Sequence, residues 1–142
     1  MVGLHIAVGS LVILFNLLAG TVGGIAWYRN RASIPFWYLL RAAQVAVFVQ
    51  ALLGGLLVLT GHKPGESLHY LYGASPLVVS FLAESARAGA AQRELGEVEF
   101  ESLDEETQHS IAMQIVRREM GIMAVSCWVI FFLALRAATT GA

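Results

Sequence analysis

Histidine is the side chain best placed to do chemistry in this sequence. There are four: His5, His62, His69 and His109. His109 lies in a polar stretch and His62 sits beside Lys63 in a short loop, so solvent is the expected neighbour of both. His5 and His69 differ because each falls a few residues inside an apolar run. At 1.5 Å of rise per residue the two lie at a similar depth from the same surface. Ionisable groups within apolar segments point to function.

Each of these histidines is followed four residues on by a glycine, Gly9 and Gly73. Residues i and i+4 stack on one helix face. A flat macrocycle could then lie close against both helices, with His5 and His69 as opposed axial ligands of a haem iron. Gln50 and Gly54 share a face of the second apolar run and could border such a group. The plainer alternative is histidines reaching for headgroups and glycines serving close packing.

The elements that would position these residues are membrane helices. Apolar residues make up 57% of the chain and charged ones 13%, about half the usual share in a soluble domain. A bilayer core needs about 20 apolar residues in a helix, and backbone groups in lipid need partners within the segment. Four stretches qualify: 2–27, 36–60, 67–83 and 121–135, the third being the shortest. They predict one all-α domain over 1–142, a transmembrane four-helix bundle. The first run has no basic residue before it, and Arg29 and Arg31 follow it, which fits a span better than a cleaved signal.

Arg29, Arg31, Arg41, Arg87, Arg93, Arg117 and Arg118 fall on one side of these spans, against Lys63 and Arg136 on the other. The positive-inside rule then puts 28–35 and 84–118 in the cytoplasm and both termini outside. Within 84–118, residues 86–101 read as a mobile linker. Ser102 to Glu105 reads as a capping box that starts a helix running through Ile111, Ile115 and Met120 into the fourth span. Asn16, the one polar residue mid-span, is expected to bond a neighbouring helix. The lone Cys127 excludes an internal disulfide and reads as a small buried hydrophobe. A net charge of −1 with no basic run gives no sign of a nucleic-acid partner.

The run Gln50-Ala51-Leu52-Leu53-Gly54-Gly55-Leu56-Leu57-Val58-Leu59-Thr60-Gly61, a short loop, and Leu68-His69 resemble haem A synthase. Leu4-His5-Ile6-Ala7 looks like that family's other ligating helix. The resemblance covers roughly 4–84 and is most specific over 44–83. It implies one four-helix half of an eight-span fold, with His5 and His69 on one haem b and a homodimer as a way to rebuild the larger form. The family's glutamate three residues before the first histidine, the arginine after it and the external cysteines have no counterpart here. Glu66 precedes His69 on the other ligating helix, so no catalytic role passes to it.

The expected function is a membrane cytochrome b acting in electron transfer or haem handling, in the bacterial inner membrane. Gln50 and Tyr70 would bond haem propionates or a quinone, and the electron partner would be a quinone or a redox protein. The competing expectation is a cofactor-free subunit that docks on a larger complex through 84–118. A channel fits less well, because the spans carry no acid ring and no broken half-helices.

Overall fold

The computed structural model describes residues 1–96 and 100–141. Among them are four α-helices: α1 (Val2–Tyr28), α2 (Ile34–Leu59), α3 (Leu68–Leu95) and α4 (Glu105–Thr140), with a short 3-10 turn at Phe100–Ser102. The described residues form no strand. Helices α1, α2 and α4 are long and apolar enough to cross a membrane. Large apolar side chains such as Phe48, Leu59, Phe81 and Phe132 face outward. An apolar outer surface on apolar helices is what lipid requires and water penalises.

Local chemistry sets the helix ends. Asn30 and Gly61 adopt positive φ of 52° and 82°. Each closes a Schellman motif. The Arg31 N–H donates to the Ala26 carbonyl, and the His62 N–H donates to the Leu57 carbonyl. Gly61 adopts that conformation without strain, and Asn30 at modest cost. Ser33 caps α2 by accepting from the Phe36 N–H at 3.3 Å. Asp104, rather than Ser102, caps α4: its carboxylate accepts from the Thr107 N–H at 3.1 Å. Ser102 lies in the preceding 3-10 turn, too early to reach the first free amides of the helix.

Two further expectations change. Helix α3 runs on to Leu95, so 86–95 is helical and not linker; alanine-rich sequence sustains it. Of the expected linker, residues 97–99 lie outside the described residues. Asn16 is fully buried, but its amide donates to the Val12 carbonyl of its own helix at 2.8 Å, not to a neighbour.

Helix α4 packs on both α1 and α3, and α1 packs on α2; α2 and α3 also touch, more lightly than any of these pairs. Paired contacts give the α1/α4 direction. A Cβ at Gly20 would lie 3.0 Å from Trp128, and one at Gly121 would lie 2.8 Å from Trp27. The two indoles thus seat reciprocally on glycines seven residues away along each helix, which only antiparallel helices allow. Helix α3 follows α4 the same way, with His69 at Ala137 and Arg87 at Glu119. The core between them holds Phe36, Leu40, Met120, Met123 and Cys127, with a second cluster around Val12, Val47 and Ile130.

Candidate functional site

The bundle brings His5, Gln50 and His69 together from three helices. The His5 and His69 ring centres lie 6.1 Å apart, with planes at 63°. The depth argument from the two apolar runs therefore places the pair where the structure does.

Each imidazole is held by one neighbour. The His69 Nδ1–H donates to the Ala137 carbonyl of α4 at 2.9 Å. A carbonyl only accepts, so this bond fixes the tautomer and leaves Nε2 as a lone pair. The Gln50 amide N–H donates to His5 Nε2 at 3.2 Å, which places the His5 proton on Nδ1. His5 Nδ1 and Gln50 Oε1 are then both buried without a hydrogen-bond partner. Turning the amide over would pair Oε1 with a proton on Nε2 and leave Nδ1 as the lone pair. In either form one ring nitrogen of His5 stays unpaired. Buried orphan polar atoms are costly, by about 1–3 kcal/mol each, and are uncommon in finished structures.

The glycines are distributed differently from the i+4 expectation. A Cβ at Gly73 would sit 4.0 Å from His69 Nε2, so Gly73 does lie beside that ring. At Gly9 the nearest atoms belong to Gln50, 3.0 Å away. Helical side chains lean toward the N-terminus, so His5 reaches away from Gly9 and the Gln50 amide occupies the room. The glycines closest to the rings are Gly54, where a Cβ would lie 3.3 Å from His5 Cε1, and Gly141, where one would lie 2.8 Å from His69 Cε1. Gly54 was legible as part of the Gln50 face. Gly141 and the Ala137 carbonyl were not, because a backbone acceptor from a distant helix leaves no pattern. Tyr70 stands apart: it is exposed and forms no hydrogen bond with the group. His62 and His109 are exposed as expected, and the His62 ring is paired with the Thr60 hydroxyl.

His69 offers a lone pair on Nε2, and His5 would offer one on Nε2 once Gln50 moved off it, or on Nδ1 with the amide turned over. Two such nitrogens can ligate one metal axially. Among the described residues no three His, Cys, Asp or Glu side chains converge on a metal position. A metal at this pair would take its remaining ligands from outside these side chains. The 6.1 Å between ring centres is close to what such a metal needs: about 2 Å to each nitrogen and about 1 Å from nitrogen to ring centre, on both sides. No protein-family model, no curated protein and no solved structure matches the chain.

Proposed function

We propose that this chain is a four-span, membrane-embedded haem protein of the cytochrome b type, with His5 and His69 as axial ligands, acting in electron transfer or haem handling. The observation that carries the reading is the meeting of two half-buried imidazoles, from α1 and α3, at a separation suited to one iron. Three features support it. His69 already has its Nδ1–H on a carbonyl, the arrangement that orients a metal-binding histidine and raises its basicity. His5 keeps an unpaired nitrogen inside the bundle. The seam between α2, which carries Gln50, and α3, which carries His69, is the most lightly packed between neighbouring helices and offers an apolar macrocycle a way in from lipid.

Haem would supply the redox centre. The protein's part would be to hold both axial positions, which favours electron transfer over oxygen chemistry. Gly54 and Gly73 would keep side chains off the ring faces, and Gln50 would yield His5 or bond a propionate. The resemblance to one half of haem A synthase fits this reading, as do external termini, pairing of two copies and a bacterial inner membrane.

One observation favours a second reading, a cofactor-free subunit of a larger complex. His5 Nε2 is already bonded to Gln50, so the histidines and the glutamine could simply be a polar clasp between helices. Visible spectra of the detergent-purified protein, oxidised and then dithionite-reduced, separate the two. A sharp reduced α-band of a six-coordinate b haem is expected. A protein that stays colourless when haem is supplied during expression would overturn the cytochrome reading and leave the clasp.

A further inference from the structure

At the other end of the bundle, α1 and α4 leave an open groove whose lining is basic and aromatic. Trp27 and Tyr28 come from the last turn of α1, Trp128 and Arg117 from α4, and Gly24, Ala124 and Val125 line it as well; it encloses about 540 Å³. It continues past Trp27, Arg117 and Val125 into a second opening of about 970 Å³, which adds Arg118 and Gln114. Among the described residues, no acidic one lines either part. Arg117 has no ion-pair or hydrogen-bond partner among the described residues, whereas Arg41 and Arg87 are paired with Glu84.

We infer that this groove holds an anionic phospholipid, its phosphate on the Arg117 guanidinium and its chains along the apolar face of α1 and α4. Charge complementarity selects the headgroup: an unpaired guanidinium with no carboxylate beside it favours a negative ligand, and phosphate matches its fork of donors. The aromatic walls place the site at the level of lipid headgroups, where indole and phenol rings settle. Those walls are also rigid. Gly121 lets the Trp27 indole lie on α4, and Gly20 does the same for Trp128 on α1. The groove is therefore built by the helix pairing itself and does not depend on the histidine pair.

The two groove tryptophans make the site readable. The full chain would be reconstituted in phosphatidylcholine vesicles containing a fixed fraction of phosphatidylglycerol, with brominated chains on one lipid or the other. Bromine quenches indole fluorescence on contact. At equal mole fraction, brominated phosphatidylglycerol is expected to quench more than brominated phosphatidylcholine, by an amount corresponding to a roughly fivefold preference of the site for the anionic lipid. Arg117→Gln should abolish the excess with helical content unchanged. Arg117→Lys should keep most of it, and high salt should reduce it in the unmodified protein. Equal quenching by both lipids, whether from an empty groove or from one covered by a co-purifying protein, would overturn the proposal. So would an excess that survives Arg117→Gln.

Discussion

The two histidines differ in what each loses when replaced. His69 gives up a ring, and the Ala137 carbonyl loses one of its donors, keeping the Gly141 N–H and the Thr140 hydroxyl. His5 gives up a ring whose Nδ1 was already unpaired. If both ligate haem, either His5→Ala or His69→Ala leaves the iron with one protein ligand. Haem content per chain is expected to fall severalfold in each, while His62→Ala and His109→Ala keep their spectra, since both side chains are exposed and neither is hydrogen-bonded to the pair. Pyridine-haemochrome assay of the purified variants reads this directly, and full haem in His69→Ala would refute the ligand assignment. The histidines were legible because depth along an apolar run fixes height and polar groups at one height seek one another. Their orientation was not: Gly9 was expected beneath His5 but lies against Gln50, since the lean of a helical side chain decides which glycine meets which ring.

Helix starts and stops carried more signal than the apolar runs alone revealed. Asn30 and Gly61 end α1 and α2 by adopting positive φ, a feature readable in Asn-Arg and Gly-His just past each run. For α4 the decisive residue is Asp104, not Ser102. Bonds from the Thr107 hydroxyl, at 2.6 Å, and from the Thr107 N–H hold the Asp104 carboxyl below its usual range. A depressed carboxylate value contributes stability above the unfolded-state value, near 4, and that contribution is lost as pH falls through the lower folded value. Amide exchange at Thr107 and Gln108 is therefore expected to quicken, relative to its intrinsic pH dependence, as pH falls below about 4, and Asp104→Asn should remove that extra pH effect. Interhelix fit gives a second prediction at this scale. A Cβ at Gly23 would overlap the buried Phe36 ring and lie 3.1 Å from the Ala124 Cβ, whereas one at Gly55 meets nothing within 4 Å. Gly→Ala in a helix normally gains about 0.5–1 kcal/mol, but overpacking a core costs about 1–3 kcal/mol. Gly23→Ala should lower the thermal midpoint in detergent and Gly55→Ala should leave it unchanged or raise it. A Gly23→Ala protein as stable as the parent would show that Phe36 is free to move.

The whole molecule turns on α3, the helix whose composition alone says least. Its apolar part is short, and Glu84 begins a polar continuation to Leu95. Packing argues more than composition does. From His69, bonded to Ala137, to Arg87, 3.5 Å from Glu119, α3 runs antiparallel along α4. That stretch rises about 27 Å at 1.5 Å per residue, close to the thickness of a bilayer core. A helix laid along a candidate span over that length is long enough to cross with it. Its polar end is then met where charges belong: Glu84 accepts from Arg41 and Gln44 of α2 and from Arg87, which also reaches Glu119 of α4, so that α2, α3 and α4 are tied together at one end of the bundle. At the other end the histidine group joins α1 to α2 through His5 and Gln50 and α3 to α4 through His69 and Ala137, so polar bonds cross directly between α2 and α3 at the Glu84 end. If α3 crosses, the loop after α2 and the segment before α4 lie on opposite faces; if it does not, they share one. Single cysteines at Lys63 and at Glu106, in a Cys127→Ala background that removes the one native thiol, distinguish the cases with a membrane-impermeant maleimide on intact cells. Labelling at position 63 and protection at 106 is expected for four crossings with both termini outside. Equal labelling at both positions would mean three crossings, and His5 and His69 could then not descend from the same surface at matching depth.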